Sequence, residues 1–160
     1  MSNIVDVFVE VAKNSNLKYE YNPNDNRLQL YKILPYKLNY PYNYGYITNS
    51  ISPDGQEIDA LIMLDEPLSV GTFIKCKIIG GIEYIGEKGI DYKLIVCPAN
   101  DIDSRFIYIN DISNLKQETL NKIRYFFNHY KDNLHIKIKT GKFLNNMEAI
   151  ELYNKNKINK

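Results

Sequence analysis

The chain has 160 residues, of which 44% are hydrophobic and 24% are charged, as is typical of one soluble globular domain with its own core. We therefore expect a single domain over residues 1–160. The 20 Lys and Arg residues nearly balance the 19 Asp and Glu residues, which excludes the global basic field of a nucleic-acid-binding protein. No apolar run approaches the roughly 20 residues that cross a bilayer, so we expect a cytoplasmic protein without a membrane partner.

The first two-thirds of the chain predicts short β-strands. They span residues 5–11, 17–21, 27–31, 58–64, 72–79 and 92–96. An Asn-Pro-Asn-Asp-Asn run at 22–26 predicts a hairpin between the second and third strands. Cys76 and Cys97 fall inside strand-like runs, which indicates small buried hydrophobes and not a disulfide or a metal pair. Strands at this spacing favour a closed or partly closed barrel.

The spacing of apolar residues changes in the last third of the chain. Apolar residues recur at intervals of 3, 4 and 3 from Leu120 to Tyr130, which predicts a helix with one apolar face. Asn145 followed by Glu148 has the pattern of a capping box and predicts a second helix through about residue 153. The predicted fold is therefore α+β, with a small barrel and helices packed on it.

Residues 40–59, with the sequence YPYNYGYITNSISPDGQEID, form the most informative segment. Asp54 lies in a Pro-Asp-Gly turn, and Asp59 follows where an apolar strand begins, so both could hold a hard cation such as Mg²⁺. Tyrosine hydroxyls can donate hydrogen bonds to an anion held by that metal. On these residues alone, a Pro-Asp-Gly segment is more often an ordinary turn than a metal site. Tyrosines spaced by two would form one packed face of a strand. We assign Tyr42 and Tyr46 to packing.

Two further segments pair a lysine with a carboxylate. Lys18 with Glu20, and Asp91 with Lys93, stand two positions apart and therefore on one face of a strand. A surface that presents both charges suits an anion coated with metal ions, and phosphates fit that description best.

These segments resemble, in the same order, the soluble inorganic pyrophosphatases of the Mg²⁺-dependent family I in their short bacterial form. The motifs that carry the resemblance are Lys18-Tyr19-Glu20, Tyr40-Pro41-Tyr42-Asn43-Tyr44-Gly45-Tyr46, Asp54-Gly55-Gln56-Glu57-Ile58-Asp59, Asp91-Tyr92-Lys93 and Phe126-Phe127-Asn128-His129-Tyr130-Lys131. The resemblance covers roughly residues 5–149. It implies a five-stranded OB-like β-barrel with flanking helices, usually a hexamer, in which several Mg²⁺ ions bind pyrophosphate and activate a water.

The resemblance also implies residue roles. Metal binding falls to Asp54, Asp59 and Asp91, and catalysis to Tyr44, Lys93 and Glu20. Substrate binding falls to Lys18, Lys32, Tyr40, Tyr130 and Lys131. Glu10 is expected beside Glu20, near the water shell of the metals. The charges agree with phosphoryl transfer, because metals and lysines stabilise its developing negative charge.

Three positions depart from the pattern that the resemblance implies. Gln56 stands at a carboxylate that helps to generate the attacking hydroxide, and Gly86 stands at a metal-binding aspartate. Lys32 replaces an arginine, which keeps the charge and loses the bidentate fork. A missing general base typically costs about 10²–10⁴-fold in rate. Rescue by the adjacent Glu57 or Glu87 needs loop geometry, because neighbouring residues of a strand face opposite ways.

Three functions stay open at this point: a pyrophosphatase with an altered site and fewer metals, an inactive relative that binds pyrophosphate or another phosphorylated ligand, and an assembly scaffold. The retained phosphate-binding residues argue against the scaffold. We favour the enzyme narrowly.

Overall fold

The structure is a computed structural model and describes residues 3–35 and 38–158. Within these residues the β-strands are β1 (Ile4–Val11), β2 (Leu17–Asn22), β3 (Arg27–Ile33), β4 (Asn43–Ile47), β5 (Asp59–Ile62), β6 (Phe73–Gly86), β7 (Gly89–Pro98) and β8 (Lys139–Leu144). The α-helices are α1 (Gln117–His129) and α2 (Asn146–Asn156).

Five strands close into a ring in the order β1, β4, β5, β7 and β6, because β6 pairs back onto β1. The β5–β7 pair is parallel, and the other pairs of the ring are antiparallel. Strand β6 is 14 residues long, and its register against β7 shifts between Ile78 and Gly80. Such a bulge bends a strand, and β6 pairs with β8 as well as with two barrel strands. The predicted α+β fold with a five-stranded OB-like barrel is confirmed.

Two buried clusters lie on the two faces of the barrel strands. One cluster draws side chains from all five strands of the ring, among them Val7, Ile47, Ile62, Ile78 and Val96. The other holds their opposite-facing neighbours together with the apolar face of α1 and an aromatic group. The alternation is visible on β5, where Leu61 belongs to the second cluster and its neighbours to the first, as the period of two requires.

A separate two-stranded sheet consists of β2 and β3, which confirms the predicted hairpin. Its register places Lys18 opposite Lys32 and Glu20 opposite Gln29. Every residue of β3 is exposed. The hairpin is therefore an arm outside the barrel ring that carries two of the predicted site lysines.

Both predicted helices are confirmed, and the capping box of α2 is present. Asn145 Oδ1 accepts a hydrogen bond from the Glu148 main-chain N–H at 2.9 Å, and Glu148 Oε1 accepts one from the Asn145 N–H at 3.0 Å. Cys76 and Cys97 are buried and free, as predicted. Neither described helix combines the length and the apolar character needed to cross a membrane.

Candidate active site

A cleft of about 770 Å³ opens between the hairpin arm, the turn that contains Asp54, the β6–β7 connection and the segment after α1. Seven residues predicted for the site line it: Lys18, Glu20, Asp54, Asp59, Asp91, Lys93 and Lys131. Among the described residues that line it, carboxylates outnumber lysines by seven to four. The cleft therefore favours cations and needs them before it can hold a polyvalent anion.

Lys93 is the centre of the cleft's charge network. Strands β5 and β7 are parallel neighbours, and this brings Asp59 beside Asp91 and Lys93. Lys93 Nζ donates to Asp59 Oδ2 at 2.8 Å and lies 3.3 Å from Asp91 Oδ2. Burial lowers the pKa of Lys93, but the two carboxylates raise it by more than burial lowers it, so its pKa lies above the ordinary value. Lys93 therefore stays an ammonium ion.

Tyr44 holds Asp59 from the other side. It lies on β4, whose register places it opposite Leu61 on β5. Its buried hydroxyl donates to Asp59 Oδ2 at 2.7 Å, so one carboxylate oxygen accepts from both Tyr44 and Lys93. Burial and the neighbouring Asp59 charge raise the pKa of Tyr44 well above its usual value. Tyr44 is therefore a permanent donor that orients Asp59.

An aromatic group lies beneath the cleft. Tyr40 packs against Tyr44, Phe126 and Tyr130, with ring centroids 4.9, 4.8 and 5.9 Å apart. The Tyr130 hydroxyl lies 2.9 Å from that of Tyr84. The residues lining the cleft include Tyr84 and Tyr46, but not Tyr40 or Tyr130. Sequence reasoning missed Tyr84, although its alternation with Ile82 on one face of a strand was a usable signal.

The lysines of the cleft lie close enough to one another to repel. Burial lowers the pKa of Lys131, and the charges of Lys93, Lys18 and Lys32 lower it further. Lys18 and Lys32 stand directly opposite each other across the hairpin, an arrangement that is unfavourable for like charges. Lys32 does not line the cleft, yet its charge reaches Lys131. A bound anion would relieve this repulsion.

Glu10 is a buried carboxylate in the same cleft. The β1–β4 register shifts between Val9 and Val11, so Glu10 sits at a bulge, which can redirect a side chain. Burial is the main cause that raises the pKa of Glu10 from 4.5 to about 8. The charge of Lys18 lowers this pKa, and the charge of Asp59 raises it. At neutral pH Glu10 is therefore mostly protonated.

Asp54 is held by its own turn. Its Oδ1 accepts from the Ser52 hydroxyl and, at 3.0 Å, from the Gln56 main-chain N–H. Gly55 follows in the left-handed region with φ of 86°. The Ser52 and Gln56 donors lower the pKa of Asp54, so this carboxylate stays ionised.

A family model described as inorganic pyrophosphatase matches residues 7–159. The chain belongs to the inorganic pyrophosphatase family. It is 37% identical over 152 residues to the inorganic pyrophosphatase of Helicobacter pylori, covering 93% of this chain and 87% of that protein. It is 41% identical over 140 residues to the one from Nanoarchaeum equitans, covering 88% of this chain and 83% of that one.

Solved structures of the family agree with this fold. The inorganic pyrophosphatase structure from Helicobacter pylori superposes with a TM-score of 0.90 at 35% identity, covering 96% of this chain and 91% of that one. The structure from Thermus thermophilus superposes with a TM-score of 0.86 at 29% identity, covering 95% and 88%.

The donor atoms of this pyrophosphatase cleft fit Mg²⁺ in kind. Asp54, Asp59 and Asp91 offer carboxylate oxygens, which Mg²⁺ prefers, and all three line the cleft. Within residues 3–35 and 38–158, however, no three Asp, Glu, His or Cys side chains converge to hold a metal ion. The Lys93 ammonium instead bridges Asp59 and Asp91. The three carboxylates thus share a cleft without meeting at one point.

Gln56 and Gly86, two of the positions where the sequence predicts a departure from the resemblance, also line the cleft. A Cβ placed on Gly86 would meet no heavy atom within 4 Å, so this side of the cleft is open. Glu57 and Glu87 line the cleft too, because they lie in connections between strands and not within them. The alternation that would turn them away from the cleft therefore does not apply.

Proposed function

We propose that the chain is a Mg²⁺-dependent inorganic pyrophosphatase that hydrolyses pyrophosphate to two phosphates with an altered active site. The observation that carries the proposal is the cluster in which Tyr44 and Lys93 both bond to Asp59, beside Asp91, in a cleft shared with further lysines. A neutral donor and a permanent cation fixed against carboxylates suit a site that handles metal-bound phosphate.

Each predicted residue receives a role in this proposal. Asp54, Asp59 and Asp91 hold Mg²⁺, which supplies charge neutralisation and a more acidic water. Lys18 and Lys131 bind phosphate oxygens, and Lys32 adds positive charge from the hairpin arm. Glu20 acts on the water, and the Lys93 ammonium stabilises the developing charge. Tyr44 donates its single O–H to Asp59 and acts by orienting that carboxylate.

The two buried tyrosines take a supporting role. Tyr130 bonds to the Tyr84 hydroxyl, and Tyr40 packs against Tyr44. We propose that they fix the rings from which Tyr44 and Tyr84 act, and that either contacts substrate only after the cleft rearranges.

An inactive binding protein is the second candidate, and one arrangement favours it. Lys93 already pairs with both Asp59 and Asp91 and offsets one of their two negative charges, while Gln56 and Gly86 contribute no carboxylate. Such a site keeps its lysines for an anion and has fewer ligands for the metals that catalysis requires.

The test is phosphate release from pyrophosphate by the purified protein in millimolar Mg²⁺, with Mn²⁺ in parallel, together with calorimetric binding of pyrophosphate. Turnover of about 1–10³ per second supports the enzyme. Binding without turnover supports the second candidate, and no binding contradicts both. Asp91→Asn should abolish phosphate release. Asp101→Asn, which removes an exposed carboxylate paired with Lys75, is the matched control.

A single domain over residues 1–160, a hexamer and a cytoplasmic location belong to the same proposal. Light scattering of the purified protein tests the hexamer.

A further inference from the structure

A second hollow adjoins the cleft. It is an open groove of about 700 Å³ between the end of β6 and the segment that leads from α1 to β8. Four residues line both hollows: Gly86, Glu87, Ile136 and Ile138. We call it the isoleucine groove, after Ile85, Ile136 and Ile138. The cleft and the groove therefore share a border made of these four residues.

Gly86 leaves empty space at this border. A Cβ on this residue would meet no heavy atom within 4 Å, so nothing fills the space that a side chain would take. Its backbone lies outside the left-handed region, so the chain does not require glycine there for its conformation. The missing side chain thus leaves room beside the cleft.

The groove differs from the cleft in its chemistry. Three isoleucines supply the apolar part of its lining, and one of them, Ile136, is 43% exposed. Its charges balance, because two lysines, Lys137 and Lys139, and two carboxylates, Glu87 and Asp132, line it. A balanced, largely apolar groove suits an organic group better than a further phosphate. Among the described residues that line it, only His135 carries an aromatic ring on which a base could stack.

We propose that the cleft and the isoleucine groove form one site for an organic diphosphate, a pyrophosphate esterified to an apolar group. The diphosphate lies against Lys18, Lys93 and Lys131, and the apolar group lies against the three isoleucines. The proposal rests on the proposed function, because its diphosphate end uses the lysines assigned there. Free pyrophosphate has no part that could cover the groove.

The test compares three non-hydrolysable probes by calorimetry in Mg²⁺: methylenediphosphonate, its monomethyl ester and its mono-n-hexyl ester. A fully buried methylene contributes roughly four-fold in affinity. The hexyl ester carries five more methylenes than the methyl ester, and half burial in an open groove predicts a gain of about 30-fold. The α,β-methylene analogue of adenosine diphosphate is the polar comparison, and it should bind no tighter than the methyl ester.

Ile85→Asn changes a residue that lines the groove but not the cleft, and it should remove most of the hexyl gain and leave methylenediphosphonate binding within about two-fold. The matched control is Ile107→Asn, since Ile107 is 42% exposed and lines neither hollow. Circular dichroism should show both variants folded.

Equal affinity for the methyl and hexyl esters overturns this inference while leaving the proposed function intact, provided that methylenediphosphonate binds. A hexyl gain that survives Ile85→Asn, or tightest binding by the nucleotide analogue, also overturns it. If no probe binds, the proposed function fails together with the inference.

Discussion

Placing two further carboxylates in the cleft, with Gln56→Asp and Gly86→Asp together, should raise pyrophosphate turnover by at least ten-fold. The fold should accept both changes. The turn around residue 56 is held by main-chain atoms, with the Gln56 N–H bonded to Asp54 and its carbonyl accepting from Ser52 N–H at 2.7 Å. The position of a side chain on residue 86 is empty.

The size of the expected gain follows from what the cleft already holds. A positioned general base contributes about 10²–10⁴-fold. Glu57 and Glu87 already line the cleft and supply part of the missing charge, so the gain should lie near the lower end of that range or below it. Ten-fold corresponds to about 1.4 kcal/mol of transition-state stabilisation.

The assay is steady-state phosphate release across a Mg²⁺ titration, with urea unfolding to confirm that stability is preserved. Gln56→Asn with Gly86→Asn is the matched control, because it has the shape of the aspartate pair without the charge. The reasoning is refuted if the asparagine pair accelerates turnover as much, or if the aspartate pair changes nothing while the protein still binds pyrophosphate.

Three further predictions concern stability without divalent cations. The free energy of unfolding should fall by up to about 1.4 kcal/mol per pH unit as the pH rises from 4.5 to 8. In this range Glu10 is ionised in the unfolded state but still protonated in the folded state. Glu10→Gln should flatten that slope in urea titrations. Lys93→Met should cost roughly 2 kcal/mol, below the 3–5 typical of a broken buried pair, because the partner carboxylate of Asp59 is 32% exposed. Gly45→Ala should destabilise the protein severely, since its Cβ would lie 1.8 Å from the Phe8 carbonyl oxygen, and thermal unfolding should show this.

Matched variants test each of these. Glu83→Gln removes a carboxylate that bonds to the Lys142 N–H outside the cleft, and it should leave the Glu10 slope in place. Lys75→Met removes an exposed ion pair and should cost less than 1 kcal/mol. Gly86→Ala should be nearly neutral. If it is as damaging as Gly45→Ala, close approach is not the cause.

The strands that the sequence predicted were those with local signals. The hairpin followed from its turn residues, and α2 followed from the Asn145 capping box, whose hydrogen bonds are local. Strand β8 was not predicted, because it is short and its stability comes from pairing with β6, far away in the chain. Strand β6 runs seven residues further than expected. Its second half shows no clear alternation of apolar and polar residues and is held by pairing with β7 and β8.

The sequence predicted many of the residues that line the cleft, but not their geometry. The i and i+2 spacing placed Lys18 with Glu20 and Asp91 with Lys93 on shared faces, and all four line the cleft. The bond of Lys93 to Asp59 depends on the parallel pairing of β5 with β7, which is a long-range contact. Burial of Glu10 depends likewise on a bulge that no local pattern marked.

The hairpin arm has a thermodynamic consequence for affinity. Two-stranded sheets are marginally stable by themselves, so β2 and β3 should open locally at a lower free energy than the barrel strands. In the proposed function, Lys18 binds the anion, and Lys32 adds charge to the cleft, only while that arm is ordered. Any ligand that engages them must therefore spend part of its binding free energy on closing the arm. Substitutions in β3, remote from the chemistry, would then tune affinity by shifting this opening equilibrium while leaving the cleft itself unchanged.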